Sequence, residues 1–192
     1  MKLSRTALVT TLMVLATAGA SLPTLAQMSN EQTVTVGGAP MYPSKNIIQN
    51  AVNSKDHTTL VAAVKAAGLV DTLEGPGPFT VFAPTNAAFA KLPDGTVDSL
   101  LKPEAKGKLT AVLTYHVLPG RLSAKDLAEA ARKNGGTAEF KTVEGDVLKV
   151  ETSGSMLTIK DSKGGMAKVS VQNVFQSNGV IHVIDSVLIP GA

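Results

Sequence analysis

Thr80-Val81-Phe82-Ala83-Pro84-Thr85-Asn86-Ala87-Ala88-Phe89 is the stretch on which the fold turns. Its first half is rich in β-branched and aromatic residues, which suit a packed strand. Pro84 withdraws a backbone donor and fixes its own φ, so the strand is expected to stop there. Thr85 stands where a hydroxyl can cap a new helix, and Asn86 to Lys91 would turn Ala87, Ala88 and Phe89 toward a core. A buried strand entering a capped helix at a fixed angle is therefore predicted.

Upstream, Gly75-Pro76-Gly77-Pro78 cannot continue a helix, so the strand begins afresh at Phe79. Before it, Leu60, Val61, Val64 and Ala67 recur at helical spacing from Thr58, and Gly68 is placed to end that helix in the left-handed conformation. Asp56-His57 reads as its approach, with a carboxylate near the positive end of the helix dipole. An earlier helix carries Ile47, Ile48, Ala51 and Val52 on one face, with Ser44 as the expected cap. Residues 27–44 mix Ser, Asn, Gln, Gly and Pro and are read as an exposed, flexible leader, with a short edge strand at Thr33 to Val36 as the alternative.

Downstream, helical segments are predicted near Val97 to Leu101 and from Glu104 to Thr114, with Pro103 in the first turn of the latter. Tyr115 to Leu118 reads as a short strand, and Ser123 as the cap of a helix that runs to Lys133 and closes at Gly135-Gly136. From Thr137 the period changes to two. Leu148 and Val150, Leu157 and Ile159, and Val169 and Val171 alternate with polar residues, as in half-buried antiparallel strands. Short turns separate them at Glu144-Gly145-Asp146, Ser153-Gly154-Ser155 and Ser162-Lys163-Gly164-Gly165. The run Val180 to Ile189 is apolar at nearly every position, which predicts a central strand covered on both faces. Helices first and strands later give an α+β domain, and no repeat at domain length is present.

The N-terminus carries an address. Lys2 and Arg5 precede an apolar run from Ala7 to Ala18 that ends in small residues, the pattern of a secretory signal peptide. Cleavage is expected after Ala26, with Ala18-Gly19-Ala20 as a weaker site. The run is shorter than the ~20 residues that span a bilayer, so no integral membrane segment is expected after cleavage. The chain has no cysteine, so disulfides, thiolate metal sites and a lipidated N-terminal cysteine are excluded. Without Lys2 and Arg5 the charge is close to balanced, at 16 basic against 15 acidic residues. With no Trp, two Tyr and five Phe, a basic, aromatic-studded nucleic-acid surface is not expected.

Two stretches resemble the signature boxes of the fasciclin-like domain. One is the opening segment, with Thr80, Phe82, Pro84, Thr85, Asn86 and Phe89. The other is Asn178-Gly179-Val180-Ile181-His182-Val183-Ile184-Asp185, followed by Leu188-Ile189-Pro190. Between them Tyr115-His116 is similar to the family's Tyr-His pair, in the same order and spacing. The resemblance covers about residues 45–190. It implies a fasciclin-like fold, a helical layer on a mostly antiparallel sheet or wedge, and a secreted or periplasmic module for adhesion or for binding an extracellular protein or glycan. It also implies that Tyr115 and His116 are candidate contact residues, as this pair has been proposed to be in animal members; the residues themselves favour a partly buried His116 that ties neighbouring backbone groups together by hydrogen bonds. Those members carry a short acidic integrin-binding motif before the second box, and here the segment reads Val171-Gln172-Asn173-Val174-Phe175, with Asn173 in place of the acidic residue. Asn173, Val174 and Phe175 thus join the candidate contact set, without an integrin specificity.

The residues themselves give the boxes an architectural reading. Pro84 and Thr85 set a strand-to-helix angle, and Asn178-Gly179 supplies a tight turn feeding the late buried strand. No enzyme is expected. His57, His116 and His182 share no metal-ligand spacing, and a triad drawn from Ser123, His116 and Asp126 lacks a nucleophile elbow. No catalytic, metal or cofactor residues are assigned, and a monomer is expected. The alternatives are a small-ligand or envelope-stress protein using a pocket between helices and sheet, and, further off, a hydrolase of envelope polymers.

Overall fold

The computed structural model describes residues 33–191, all within one compact unit. The expected signal peptide and its cleavage site lie outside the described residues. The first elements are two short strands, β1 (Val34–Val36) and β2 (Ala39–Met41), paired antiparallel through the Gly37-Gly38 turn. Both glycines have positive φ, which a two-residue turn of this kind demands. Val36 and Met41 are buried in the core. The exposed leader expected over 27–44 is thus corrected for residues 33–44, which alternate inward and outward as a small hairpin.

Helix α1 (Ile47–Ala51) is capped by Asn46 rather than by Ser44, and Gln49 returns the bond to the Asn46 amide in a capping box. A single turn at Lys55–His57 leads into α2 (Thr58–Ala67), which Gly68 ends at φ 73° as its sequence predicts. A short helix that the sequence reading did not identify, α3 (Val70–Glu74), follows before β3 (Phe79–Pro84). Helices α4 (Asn86–Phe89), α5 (Thr96–Leu100) and α6 (Lys106–Tyr115) come next; α6 is preceded by a tight turn at Pro103–Ala105. Tyr115 closes α6 instead of opening a strand, so β4 is only Val117–Pro119. Helix α7 (Ala124–Lys133) begins at a Ser123–Asp126 capping box.

Strands β5 (Thr137–Lys141), β6 (Val147–Ser153), β7 (Met156–Lys160), β8 (Met166–Gln176) and β9 (Gly179–Ile184) complete the chain. They form a seven-stranded sheet in the order β4-β3-β9-β8-β7-β6-β5. Every pairing is antiparallel except β3 with β9, which run parallel from Phe79 opposite Gly179 to Pro84 opposite Ile184. The two signature boxes therefore lie side by side in the interior of the sheet, next to its β4 edge.

Two hydrophobic clusters explain why these strands are apolar throughout. Val81, Ala83, Ile181 and Val183 face a cluster with α1, α2 and α6, while Phe82 and Ile184 face a second with Leu127 of α7 and residues of β6 to β8. All six residues of β9 are buried, as a strand covered on both faces must be. The strand ends at Ile184, five residues before the apolar run does. Beyond it the Asp185 amide donates to the Lys168 carbonyl at 3.1 Å, while its carboxylate replaces the backbone acceptor for the Lys168 amide at 2.8 Å and pairs with Lys91 at 3.4 Å.

Candidate functional site

The Tyr115-His116 pair lies where α6 hands over to β4, and both side chains point into the protein. Tyr115 is fully buried; its hydroxyl donates to the Val147 carbonyl at 3.0 Å and accepts from the Ser162 amide at 3.2 Å. Burial pushes its pKa up, against the opposing effect of the Ser162 bond. His116, 2% exposed, lies 2.7 Å from the Val112 carbonyl through Nδ1, and its Nε2 accepts from the Leu188 amide at 3.0 Å. These partners require the neutral tautomer with the proton on Nδ1. Burial lowers the pKa of His116 to about 4, although the Val112 bond and the charge of Asp161 oppose the shift. Nothing is left on either ring to meet a partner. As contact residues Tyr115 and His116 do not fit; they tie α6, the start of β6, the β7–β8 turn and the C-terminal segment together.

The second candidate stretch is divided. β8 slips register against β9 between Val171 and Val174, and at this bulge Asn173 takes φ 59°. Asn is among the few side chains that tolerate this conformation. Its Oδ1 accepts from the Ala124 amide at 2.8 Å, so it satisfies a free donor at the start of α7. Val174 is buried in the core. Phe175 alone of the five candidate contacts presents a large exposed side chain, at 41%. It lines an open groove of about 640 Å³ with Gln172, Asn173, Val34, Met41 and Pro43. Exposed Tyr42 is the neighbour of two of those lining residues along the chain.

The signature residues hold elements together. Thr80 Oγ1 donates to the Gly120 carbonyl at 2.7 Å and accepts from the Leu122 amide at 2.9 Å. Thr85 caps α4 by accepting from Ala88, and Phe82, Pro84 and Phe89 are buried. Asn86 accepts from the Thr59 amide and donates to the Lys55 carbonyl, fastening the start of α2 to α4. Asn178 accepts from the Ile47 amide at 3.0 Å and donates to the carbonyls of Leu73 at 2.7 Å and Gly75 at 3.0 Å, so one buried amide joins α1, α3 and β9. A Cβ on Gly179 would lie 2.2 Å from the Phe79 carbonyl oxygen, which only glycine avoids. His182 lies against Phe82, with ring centroids 5.8 Å apart; its Nε2 is 3.0 Å from the Leu122 carbonyl and Nδ1 accepts from the Asn173 amide. Burial lowers its pKa too.

Ser123, His116 and Asp126 do not assemble. Ser123 and Asp126 make the α7 capping box, which lowers the Asp126 pKa, while His116 is engaged with Val112 and Leu188. Among the described residues no group of three or more His, Asp or Glu is placed to hold a metal. Sequence reasoning missed the buried Asn50–Gln176 pair, which links α1 to the end of β8, and Arg121, which donates to the Gln176 and Ser177 carbonyls. Their one signal was a polar residue inside otherwise apolar spacing.

Residues 55–190 match the family described as Fasciclin domain. The chain is 44% identical over 174 residues to protein sll1483 of Synechocystis, covering 88% of each. It is 38% identical to immunogenic protein MPB70 of Mycobacterium bovis, covering 74% of this chain and 67% of that one. It is also 40% identical to the transforming growth factor-beta-induced protein ig-h3 of Sus scrofa, over 76% of this chain but 20% of that longer relative. Among solved structures, a FAS1 domain pair from the insect cell adhesion molecule fasciclin I superposes with a TM-score of 0.69 at 19% identity, covering 77% of this chain and 52% of that one. With its signature boxes paired in parallel as β3 and β9, the chain belongs to the fasciclin family.

Proposed function

We propose that this chain is an exported, non-catalytic binding module that adheres to an extracellular protein or glycan through its outer surface. The observation that carries the reading is the division between buried and exposed candidates: Tyr115, His116 and Val174 are closed inside, whereas Phe175 stands out beside the N-terminal hairpin. Exposed aromatics flanked by polar groups anchor protein interfaces, because they bury much apolar area with few rotors to freeze. The groove around Phe175 brings together a bulged strand and the β1–β2 hairpin, two segments far apart in sequence. Membership of the fasciclin family supports the same role, and no helix among the described residues is long and apolar enough to cross a membrane. Export rests on the N-terminal pattern; the secreted protein should begin at Gln27 by intact mass, and a full-length mass in the membrane fraction would contradict it. For adhesion, immobilised mature protein is titrated with cell-surface and matrix fractions. Saturable capture that Phe175→Ser abolishes, at an unchanged melting temperature, is the expected result. Equal capture by the variant would reject this surface.

A further inference from the structure

Helix α5 has no fully buried residue, although Val97 and Leu100 pack against the core. Between it, α6 and the C-terminal segment lies an open groove of about 310 Å³. Leu100, Val112, Val187 and Ile189 are among its apolar walls; the first three are half-buried and Ile189 is exposed. Its charged groups are Lys108 of α6 and Lys163 of the β7–β8 turn, both exposed, and no carboxylate lines it.

Neither ammonium is matched within the fold. The four ion pairs of the described residues employ Lys91, Lys125, Lys149 and Lys160. Asp161, two positions before Lys163, is buried and accepts from the amides of Lys163, Gly165 and Ile189. Asp98 stands two positions from both Thr96 and Leu100 on α5, so it lies on another face of that helix.

Walls and charges together select a class of ligand. Small-molecule sites span roughly 300 to 1,000 Å³, so the groove takes one short chain and not a two-chain lipid. An inorganic anion would leave the apolar walls unused, and exposed ion pairs alone contribute little. A cation would meet two like charges. A glycan would find the Thr96 hydroxyl as the one neutral side-chain donor of the lining. An aliphatic chain ending in a carboxylate uses both features. Each buried CH₂ tightens binding by up to about fourfold, while the head stays in water beside ammonium groups whose long stems let them follow it.

We propose that this groove is a binding site for a medium-chain aliphatic carboxylate, with its chain on Leu100, Val112, Val187 and Ile189 and its head against Lys108 and Lys163. The site shares no lining residue with the groove at Phe175 and does not depend on the adhesive reading.

The test is an NMR titration of methyl-labelled mature protein with octanoate, and separately with hexanoate and with octylammonium. Octanoate should give saturable shifts at the methyls of the four wall residues. It should bind about fivefold tighter than hexanoate, which buries less chain, and about tenfold tighter than octylammonium, which carries the opposite charge. The double variant Lys108→Gln/Lys163→Gln should lose the preference for the anion. Ile189→Glu, which sets a like charge in the wall, should weaken octanoate about tenfold. Unchanged methyl shifts at Leu127 and Val150, in the other hydrophobic cluster, report that each variant is folded. No saturable shift at the wall methyls, equal affinity for octanoate and octylammonium, or undiminished octanoate binding in either folded variant would each overturn the assignment.

Discussion

Mild acid should loosen this fold well above the pH at which its carboxylates take up protons. The cause is His116, whose pKa falls from an ordinary 6.5 to about 4 because the ring is enclosed and its Nε2 accepts from the Leu188 amide. Protonation would set a donor against a donor. In the unfolded chain the ring titrates near 6.5, so between 6.5 and 4 the unfolded state binds the proton and the folded state does not. Stability is then full above about 6.5 and declines as pH falls. From these two pKa values, His116 alone costs about 2 kcal/mol by pH 5 and about 3 kcal/mol by pH 4. His57 and His182, also lowered by burial, add in the same direction. Asp126 and Asp185, whose pKa values are lowered in the fold, lose their contributions only below this range. Urea unfolding at pH 7.5, 6, 5 and 4.5, beside NMR titration of the three rings, measures both quantities. A flat unfolding midpoint down to pH 4.5, or a His116 ring titrating near 6.5, would refute the reasoning.

Substitutions at Asn178, Gly179 and Phe82 examine the signature residues, and two at Asn173 examine the bulge. Asn178→Asp keeps the acceptor for Ile47 but turns the donor to Leu73 and Gly75 into an oxygen facing two carbonyls, so a loss of about 3 kcal/mol is expected in chemical denaturation. Gly179→Ala must drive a Cβ into the Phe79 carbonyl and part β3 from β9; it should lower the melting temperature more than Phe82→Ala, which removes a buried ring at about 3 to 5 kcal/mol. Asn173→Asp retains the acceptor for Ala124 and places a charge at the N-terminus of α7, so it should change stability by no more than ~0.5 kcal/mol, whereas Asn173→Val, strained at φ 59°, should cost several times that.

Much of this architecture is legible because it rests on short-range chemistry. The ends of α2 and α7 follow from Gly68 and Ser123, and β6 to β8 from period-two alternation, since each signal lies within a turn of the residue it governs. What stayed hidden depends on distant partners. The β1–β2 hairpin looks like a polar leader until Val36 and Met41 are seen entering the core beside residues more than a hundred positions later. Ser44 and Asn46 are equally good caps on paper; Gln49 decides between them by completing the box at Asn46. Parallel pairing of β3 with β9 leaves no local mark beyond two unusually apolar strands. The candidate contact site divides for the same reason. Alternation along β8 would put Asn173 and Phe175 on one face, but the bulge commits Asn173 to α7 and leaves Phe175 outside.

Binding by folded His116→Gln is the measurement on which the account rests most directly. Capture of the extracellular partner is compared for wild type, His116→Gln and Phe175→Ser at a temperature where circular dichroism shows all three folded. If the inner residues build the body and the outer surface meets the partner, His116→Gln binds like wild type despite a lower melting temperature, and Phe175→Ser does not bind. Loss of capture in a fully folded His116→Gln, with Phe175→Ser unaffected, would contradict it.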